Sequence, residues 1–324
     1  MNKTAIVTGC AGFIGNNLLL KLLSDGWYVY GIDKIDTVSS TDEYVSYYNN
    51  YKNQFTFIAE DVLEQTWLPT ADVIFNLAAD SHVDKSIIDS SSFVRNNIET
   101  VRHLLQLIEK RVAISVDPPL FFHFSTDEVY GDLEVGSFNE SSPLNPSNPY
   151  SAAKAGADLL LSSWARTYGL NYIIVRPSNN FGDFQYHEKL IPLAVKKLQA
   201  NKKIHLHNRG KPVRTWTHVK DTIDAVLLLY EKGERNRIYN ISSGFEQPNL
   251  ETAKKVINCF YMGKPNVNVP DFQTHLDFSY ERPGQDVRYA INCMPLKELG
   301  WEPKKHFDTS IASVVDFYRN RFIW

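Results

Sequence analysis

The chain has 324 residues, of which 43% are apolar and 22% charged, and its formal net charge is -3. This is the balance of an ordinary globular protein with one large domain or two coupled ones. It gives no electrostatic reason to expect nucleic acid or an anionic membrane as a partner. The cysteines Cys10, Cys259 and Cys293 are too scattered for a disulfide framework or a metal site. No apolar run is long enough to span a membrane, and the glycine-rich loop follows the first residue too closely for a signal peptide, so we expect a cytoplasmic protein.

Short apolar runs alternate with helical patterns through the first half of the chain. The predicted strands are 4–8, 27–32, 55–59, 73–77, 121–125 and 172–175, and the predicted helices are 16–24, 93–110 and 151–168. This alternation predicts an α/β fold with a Rossmann-type, doubly wound parallel sheet that is covered on both faces. The alternation weakens after Arg176, where 179–185 is interpreted as a loop, 219–230 as a helix and 238–241 as a strand.

These patterns predict two domains. We expect residues 1–180, with 216–243 returning to them, to form an NAD-binding Rossmann domain. Residues 181–215 and 244–324 hold most of the later prolines, and we assign them to a smaller C-terminal α/β substrate-binding domain.

The cofactor prediction rests on a glycine-rich loop between the first predicted strand and the first predicted helix. Gly9, Gly12 and Gly15 are spaced so that the backbone can turn tightly and approach a pyrophosphate at a helix N-terminus. Asp33 lies about 18 residues beyond Gly15, at the end of the second strand, where a carboxylate can accept hydrogen bonds from a ribose. A carboxylate there repels a 2′-phosphate, which favours NAD over NADP, although the neighbouring Lys34 weakens this discrimination.

Two further runs carry groups that can move protons. The strand 121–125 is followed by Thr126, Asp127 and Glu128, at a strand end where open α/β sheets bind ligands. Tyr150 and Lys154 stand four residues apart and therefore share one face of a helix. A Tyr-Lys pair supplies the base for oxidising an alcohol, and the two acids offer a separate acid and base for a second step.

In combination, these motifs resemble the nucleotide-sugar 4,6-dehydratases of the extended short-chain dehydrogenase/reductase superfamily. The resemblance rests on STDEVYG at 125–131, LAADSHVD at 77–84, SNNFG at 178–182, EKLIP at 188–192 and RPGQD at 282–286. It covers nearly the whole chain in the same order, and it is strongest for the branch that acts on dTDP-glucose. Related 4-epimerases keep the Tyr-Lys pair but lack the acid pair.

The resemblance implies a reaction in which water is lost across C5 and C6 of a hexose, giving a 4-keto-6-deoxy sugar. Tyr150, ionised with help from Lys154 and from the positive charge of the cofactor, is expected to take the proton of the C4 hydroxyl while NAD takes the hydride. Thr126 is expected to polarise the C4 ketone, and Glu128 to remove the C5 proton. Asp127, if held neutral, would protonate the departing C6 hydroxyl.

The resemblance also implies binding residues and a dimer. Expected contacts with NAD are Gly9, Gly12, Phe13, Ile14, Gly15, Asp33, Lys34, Asp61, Val62, Leu77, Ala78, Ala79, Asn96, Tyr150, Lys154 and Asn180. Expected contacts with the nucleotide sugar are Ser81, Thr126, Asn179, Lys189, Leu190, His205, His207, Arg214, Asn249, Arg282 and Asp286. Helices 93–110 and 151–168 carry more apolar residues than one buried face requires, and in the superfamily such helices pair in a homodimer.

Three positions depart from the family pattern. Asp80 stands where the family usually has Glu, and Asn96 where it usually has a Thr that contacts the cofactor. The run 205–207 reads His-Leu-His where the dTDP branch has Pro-x-Tyr, with the Tyr stacked on thymine. UDP-glucose dehydratases have His near this position. The sequence therefore leaves open the same reaction on UDP-glucose or another NDP-hexose, an NDP-sugar 4-epimerase, and an inactive NAD-binding regulator.

Overall fold

A computed structural model of the chain describes residues 3–35, 50–113, 117–267, 269, 271–279, 281 and 286–321. The chain divides into two compact units. The first comprises Met1–Val129, Leu144–Arg176 and Val226–Tyr239, and the second comprises Tyr130–Pro143, Pro177–Ala225 and Asn240–Trp324. The second unit thus includes 130–143, which the sequence analysis assigned to the first domain. The functional domain boundaries remain predictions.

The helices and strands follow one another in the alternating order that the sequence predicts. In chain order they are β1 (Thr4–Thr8), α1 (Phe13–Ser24), β2 (Tyr28–Asp33), β3 (Phe55–Ala59), β4 (Val73–Asn76), α2 (Val83–Ile88), α3 (Ser90–Val94), α4 (Thr100–Val112), β5 (Leu120–Phe124), α5 (Pro149–Tyr168), β6 (Tyr172–Pro177), β7 (Asn179–Phe181), α6 (Leu190–Gln199), β8 (Ile204–His205), β9 (Val213–His218), α7 (Val219–Lys232), β10 (Arg237–Ile241), β11 (Glu246–Pro248), α8 (Asn249–Met262), β12 (Leu276–Asp277), α9 (Met294–Glu298) and α10 (Phe307–Arg321).

Among the described residues, seven strands form one sheet in the order β10-β6-β5-β4-β1-β2-β3. The pairs from β6 across to β3 are parallel. The direction of winding reverses between β1 and β4, and open α/β sheets bind ligands at the carboxyl ends of the strands beside such a reversal. The predicted Rossmann-type fold is therefore confirmed, and it directs attention to the ends of β1, β4 and β5.

The sheet is rigid because its strands are buried on both faces. Side chains at equivalent positions of neighbouring strands, Ile6, Ile74, Phe121 and Tyr172, join one core with residues of α4 and α5 such as Leu161. Such continuous apolar runs are typical of parallel strands covered by helices. The polar residues that follow each strand therefore extend from a fixed platform.

Two sequence predictions need correction. The helix predicted over 93–110 is three consecutive segments, α3, a π-helical turn at Arg95–Glu99 and α4. The loop predicted over 179–185 begins instead with strand β7, which pairs in parallel with β9. Its polar sequence hides the strand because the pairing partner lies far along the chain, and β-structure depends on such context.

The second unit has small sheets, with strand orders β11-β9-β7 and β12-β8, and helices α6, α8 and α10. Aromatic rings from β7, β9 and α10 meet in its core, where the Phe181 ring lies 4.8 Å from that of Phe307 and 6.3 Å from that of Trp216, centroid to centroid. In the described part of the chain, no helix combines the length and apolar character needed to cross a membrane.

Candidate active site

A groove lies at the carboxyl ends of β1, β2 and β4 in the first unit. It is lined by Gly9, Gly12, Ile32, Asp33, Lys34, Asp61, Val62, Leu77, Ala78, Ala79, Asp80, Asn96 and Thr100. All of these except Ile32, Asp80 and Thr100 were predicted to contact NAD. The structure thus brings together most of the predicted cofactor residues of this unit.

The glycine-rich loop turns tightly between β1 and α1. Gly9 has a φ of +67°, and a Cβ atom there would lie 2.7 Å from the backbone nitrogen of Ala78. A Cβ atom on Gly15 would lie 2.1 Å from the carbonyl oxygen of Gly9. Neither position can accept a side chain without movement of the backbone, so the glycines hold the loop against the end of β4.

The start of α1 has no side-chain cap among the described residues. Gly12 is its N-cap, and its first turn, which includes Phe13 and Ile14, holds no acid. The first N–H groups of a helix have no intrahelical acceptor and attract anions. A pyrophosphate therefore fits the chemistry of this loop.

Asp33 is fixed at the end of β2. Its Oδ2 accepts the N–H of Ala11 at 2.8 Å, and its Oδ1 accepts the N–H of Ile35 at 3.2 Å. Asp61 is also fixed, because its side chain accepts the N–H of Leu63 at 2.9 Å. The carboxylate of Asp33 in the groove matches the ribose acceptor that the sequence predicts, so the donors and acceptors fit a dinucleotide.

The predicted acid pair lies directly after β5. A 3₁₀ turn over Asp127–Tyr130 holds both acids. Thr126 Oγ1 donates to Asp127 Oδ1 at 3.3 Å and accepts the N–H of Glu128 at 3.3 Å. Thr126 and Asp127 are buried, whereas Glu128 is half-buried. The threonine hydroxyl thus organises the turn that presents both carboxyl groups.

Helix α5 brings Tyr150 and Lys154 to the same strand end. A capping box between Asn148 and Ser151 fixes the first turn of the helix, which contains Tyr150. One turn later, Lys154 Nζ donates to the carbonyl oxygen of Phe124, the last residue of β5, at 2.6 Å. This bond joins the helix face to the strand that carries the acids.

Burial controls the protonation of this pair. The pKa of Tyr150 is raised above its ordinary value, first by burial and then by the charge of Glu128, while its hydrogen bond with Thr126 acts in the opposite direction. Burial lowers the pKa of Lys154 to about 8, against the opposing charge of Asp158. The raised pKa of Tyr150 indicates that Lys154 alone does not ionise the phenol, so the sequence expectation also depends on the second charge that it named, that of the cofactor. The reason is that burial disfavours the phenolate, an effect that sequence spacing does not reveal.

A buried charge cluster behind Lys154 was missed by the sequence analysis. Asp158 Oδ2 accepts from Arg176 Nε at 3.0 Å, from Arg176 Nη2 at 2.9 Å and from Ser125 Oγ at 2.9 Å. Burial raises the pKa of Asp158, and the Arg176 guanidinium acts most strongly against that effect. Tyr150, Lys154 and Asp158 follow one another at intervals of four residues, and this spacing was the available signal.

A row of polar side chains continues from this cluster across the sheet. Thr8 Oγ1 donates to Asn76 Oδ1 at 2.7 Å, and Asn76 Nδ2 lies 3.1 Å from His123 Nδ1. His123 Nε2 lies 3.6 Å from Asp158 Oδ1, and burial lowers the pKa of His123 well below 6.5. His123 is thus a neutral, hydrogen-bonded core residue.

The second unit holds several of the residues predicted to bind the nucleotide sugar. Asn179 lies in β7, next to Asn180, which was predicted to contact NAD, and Lys189 and Leu190 lie at the start of α6. Within the described part of the chain, the side-chain oxygens of Asn179, Asn180 and Asn249 are buried without a hydrogen-bond partner. Buried acceptors of this kind call for a donor, which a ligand can supply.

Arg214 lies beside Asn249 and Asp286. Its Nη2 donates to the carbonyl oxygen of Asp286 at 3.3 Å, and its guanidinium carbon lies 4.4 Å from the centroid of the Tyr289 ring. Asn249 is close because its N–H donates to Pro212 O at 2.9 Å, next to the start of β9. Tyr289, whose hydroxyl donates to Asp286, was not singled out from the sequence. Arg282 lies outside the described residues.

The two histidines at 205–207 differ in their surroundings. His205 is half-exposed, and its Nδ1 lies 2.8 Å from Asp277 Oδ2, which the pairing of β8 with β12 brings close. His207 begins a 3₁₀ turn in which Asn208 and Arg209 have positive φ angles. Asp277 was not predicted, because only the strand pairing shows that it meets His205. Ser81, in the first unit, is exposed after β4 and does not line the groove.

Comparison with known proteins identifies the class. The model of the GDP-mannose 4,6-dehydratase family matches residues 6–314, and the chain belongs to this family. This membership confirms the resemblance to the nucleotide-sugar 4,6-dehydratases of the extended short-chain dehydrogenase/reductase superfamily.

Several curated relatives are similar over nearly their whole length. The chain is 37% identical to the low-salt glycan biosynthesis protein Agl12 of Haloferax volcanii, with 97% of each protein covered. It is 35% identical to the dTDP-glucose 4,6-dehydratase of Xanthomonas campestris pv. campestris, with 99% of this chain and 94% of that protein covered. It is also 35% identical to the dTDP-glucose 4,6-dehydratase of Haemophilus influenzae, with 97% of each covered.

Solved structures give the same relationship. The dTDP-glucose 4,6-dehydratase DesIV of Streptomyces venezuelae, solved with NAD and TDP bound, has a TM-score of 0.88 and 33% identity, over 98% of this chain and 97% of that one. The UDP-glucose 4-epimerase of Thermotoga maritima has a TM-score of 0.83, over 98% and 99% of the two chains. At 24% identity, the epimerase shows only that the fold is shared.

Proposed function

We propose that this protein is an NAD-dependent dTDP-glucose 4,6-dehydratase, a hydro-lyase that converts dTDP-glucose into dTDP-4-keto-6-deoxyglucose and water. One observation carries the proposal. Asp127 and Glu128 directly follow Thr126 at the end of β5, the strand to which Lys154 is tied by its bond to Phe124 O. An oxidation site needs only the Tyr-Lys pair, whereas elimination of water needs a further acid and base. The curated dTDP-glucose 4,6-dehydratases at about 35% identity support this reading.

NAD is the proposed cofactor, and DesIV, with NAD bound, supports this choice. The glycine loop and the start of α1 would hold the pyrophosphate, and Asp33 would hold the adenosine ribose. When bound, the oxidised dinucleotide supplies a reversible hydride acceptor and a positive charge near Tyr150. Because burial and Glu128 raise the pKa of Tyr150, Lys154 alone does not account for an ionised phenol, and a second positive charge is needed.

The residues of this chain would divide the proton transfers among them. Tyr150 accepts the proton of the C4 hydroxyl, and Thr126 donates a hydrogen bond to the C4 oxygen, which polarises the new ketone. Glu128 then removes the acidified C5 proton, and Asp127 protonates the C6 hydroxyl, which leaves as water. Return of the hydride to C6 and of a proton to C5 completes a cycle whose only net change is loss of water.

We propose that residues of the second unit bind the nucleotide sugar. The guanidinium of Arg214, held by Val213 O at 2.7 Å and Asp286 O at 3.3 Å, suits a diphosphate because its fork can bond two oxygens. The unpartnered buried oxygens of Asn179 and Asn249 suit hydroxyl or amide donors of the ligand. Lys189, Leu190 and the segment that contains Arg282 complete this predicted set.

The same reaction on UDP-glucose is the second candidate function. The observation that favours it is His207, which places an imidazole where the dTDP branch has the tyrosine of Pro-x-Tyr. Two residues earlier, at the proline position, His205 Nδ1 lies 2.8 Å from Asp277 Oδ2. An imidazole can stack on either pyrimidine, so this position does not select thymine as a tyrosine pocket would.

A parallel incubation tests both functions. Purified protein with NAD is given dTDP-glucose, UDP-glucose or GDP-mannose at equal concentration, and products are identified by mass spectrometry. We expect the sugar to lose one water and gain a C4 ketone, fastest with dTDP-glucose. Faster turnover of UDP-glucose would favour the second candidate, and an epimer that keeps its water would overturn the dehydratase proposal.

We also propose that the protein is a homodimer and is cytoplasmic. The dimer is supported by exposed apolar side chains on α2, α3 and α5, namely Ile88 at 87%, Val94 at 49%, Leu159 at 63% and Tyr168 at 53% exposure. Large exposed apolar patches commonly mark protein interfaces. The cytoplasm suits Cys10, Cys259 and Cys293, which are buried and not joined in disulfides.

A further inference from the structure

A half-buried carboxylate lines the groove at a position that the sequence analysis noted only as a departure from the family pattern. Asp80 follows the end of β4 and shares the groove wall with Asn96 and Thr100. No ion pair engages it in the described part of the chain, and its Oδ2 accepts from Asn96 Nδ2 at 2.7 Å. The two departures of the first unit, Asp80 and Asn96, are therefore partners.

Asp80 is held by two consecutive residues. In addition to the bond from Asn96, the N–H of Asp80 donates to Asn97 Oδ1 at 2.7 Å, and Asn97 Nδ2 donates to Asp80 O at 3.0 Å. Asn96 and Asn97 belong to the π-helical turn Arg95–Glu99. Such turns are rare and occur often at functional sites. The backbone and one carboxylate oxygen of Asp80 are thus fixed by side chains from the same turn.

The order of strands relates Asp80 to the other groove residues. Neighbouring strands run β2, β1, β4, β5. Asp33 ends β2, the glycine loop follows β1, Asp80 follows β4, and Thr126 follows β5. We place the adenosine ribose of a dinucleotide at Asp33 and its pyrophosphate at the glycine loop. The dinucleotide would then pass Asp80 before its nicotinamide end reaches the residues after β5.

We infer that Asp80, oriented by Asn96, accepts a hydrogen bond from a ribose hydroxyl in the nicotinamide half of the dinucleotide. The inference rests on the proposed function, because it requires that NAD is the cofactor. A carboxylate is a strong acceptor for a hydroxyl, and the bond from Asn96 leaves Oδ1 for the ligand. Asn96 is then a positioning residue that acts through Asp80.

Binding measurements on protein freed of cofactor test this inference without relying on turnover. Isothermal titration with NAD, ADP-ribose and ADP separates the two halves of the ligand, because ADP lacks the second ribose. We expect Asp80→Asn to weaken binding of NAD and ADP-ribose by roughly fivefold to tenfold, since a charge-assisted hydrogen bond is lost. Binding of ADP should not change.

Asn96→Ala tests the positioning role. It should weaken binding of the same two ligands by a smaller factor, and it should cause no further loss when added to Asp80→Asn. Asp89→Asn is the matched control, because it removes a carboxylate from the same stretch of chain, does not line the groove, and keeps a residue that can cap α3. It should bind all three ligands as the unchanged protein does.

Several outcomes would overturn the inference. Unchanged affinity of Asp80→Asn for ADP-ribose, or an equal loss for ADP, would show that Asp80 does not contact the second ribose. Additive losses in the double variant would remove Asn96 as a residue that acts through Asp80. If the unchanged protein, the variants and the control all bind ADP-ribose with the same affinity, the inference fails while the NAD proposal stands. If the unchanged protein binds neither NAD nor ADP, the proposed cofactor itself fails.

Discussion

The amine of Lys154 is buried, and its burial should make the free energy of unfolding depend on pH. Its pKa falls from an ordinary value of 10.5 to about 8, chiefly because burial disfavours the charged form. Between these values the unfolded chain binds more protons than the folded one, so stability contributed by this group rises with pH. Below about pH 8 both states are protonated, and the full penalty of burial is present.

This linkage predicts the behaviour of Lys154→Met. The free energy of unfolding of the original protein should rise relative to that of the variant by roughly 2 to 3 kcal/mol between pH 8 and pH 10. Above pH 10 the raised pKa of Tyr150 lowers the stability of both proteins, because their folded states then bind the extra proton, and the comparison therefore stops at pH 10. Denaturant titrations of both proteins at pH 7, 8, 9 and 10 measure the difference. If the free energies of unfolding of the two proteins differ by the same amount at every pH, the pKa of Lys154 is not lowered by burial.

Glu128 and Asp127 are proposed to act at different bonds, and a pair of variants separates them. Glu128→Gln should still oxidise C4 but should neither exchange the C5 hydrogen with solvent deuterium nor lose water, because the base is gone. Asp127→Asn should retain exchange at C5 and lose only the departure of water. We expect product formation to fall by at least about 100-fold in both. Quenched reactions analysed by mass spectrometry give the ketone and the deuterium content.

Two results would contradict these roles of Glu128 and Asp127. Exchange at C5 that persists in Glu128→Gln and vanishes in Asp127→Asn would exchange the two roles. Normal turnover in Glu128→Gln would remove Glu128 as the C5 base.

The sequence was informative at the residue scale where neighbours along the chain act together. Thr126, Asp127 and Glu128 are consecutive, and Tyr150 and Lys154 are one helical turn apart, so local spacing was enough to group them. Arg176 lies on β6 and meets Asp158 from 18 residues away. Such a contact depends on how helix and sheet pack, which is why the charge cluster behind Lys154 was not predicted.

The conformation of the loop between β1 and α1 depends on Gly9. Gly9→Ala would force a Cβ atom to within 2.7 Å of Ala78 N while the residue keeps a φ of +67°. Gly26→Ala is the matched control, since Gly26 has a φ of +80° but no atom within 4 Å of its added Cβ. Gly26→Ala should lose only about 1 to 2 kcal/mol of stability from the strained φ.

Gly9→Ala should lose more stability than this control and should also lose affinity for NAD, because the loop must move away from β4. Thermal unfolding and NAD titration of the two variants measure these effects. Equal stability and unchanged NAD affinity in Gly9→Ala would show that the close approach of the loop to β4 is not required.

Helix α10 supports the loop that follows β7. The buried Tyr318 hydroxyl donates to Gly182 O at 2.6 Å and accepts the N–H of Gln185 at 2.7 Å. Gln185 Nε2 in turn donates to Asn180 O at 3.0 Å. This chain of bonds fixes a loop in which Phe184 has a positive φ of 72°.

Tyr318→Phe removes these bonds and leaves the N–H of Gln185 without its acceptor, so we expect a loss of about 1 to 3 kcal/mol in stability. Because the loop leads from Asn179 and Asn180 to Lys189, KM for the nucleotide sugar should rise severalfold, with a smaller change in kcat. Tyr261→Phe, on a ring of α8 that is 45% exposed, is the control and should change neither quantity. An unchanged KM in Tyr318→Phe would separate this loop from substrate binding.

The elements themselves were predictable to different degrees. β1 and β3 match their predicted ranges, because buried parallel strands are continuous apolar runs with clear ends. β7 was missed, since Asn179 and Asn180 are poor strand formers whose pairing with Trp216 and Thr217 is set by the fold. The π-helical turn at Arg95–Glu99 was also missed, because an extra residue in a turn leaves little trace in the helical period.

For the whole molecule, the proposed homodimer makes a prediction about one surface residue. Leu159 on α5 is 63% exposed, and Leu159→Asp would bury a carboxylate in the proposed interface. We expect this variant to be a folded monomer by light scattering, whereas the original protein has the mass of a dimer. Met294→Asp, at a residue 50% exposed on α9, is the control and should remain dimeric. A monomeric original protein would reject the dimer.

Family membership was within reach of the sequence because the motifs keep their order along nearly the whole chain. The nucleotide was not, because His207 departs from the tyrosine of the dTDP branch, and the surroundings of 205–207, such as the contact of His205 with Asp277, are set by the pairing of β8 with β12. The raised pKa of Tyr150 was equally hidden, since it arises from burial and from the charge of Glu128.

In the proposed reaction, oxidation at C4 and reduction at C6 belong to one cycle, with loss of water between them. The decisive experiment uses dTDP-glucose that carries deuterium at C4, incubated with the purified protein and NAD. We expect dTDP-4-keto-6-deoxyglucose with the deuterium at C6. A product that retains its water, or a 4-keto-6-deoxy sugar without deuterium at C6, would contradict it.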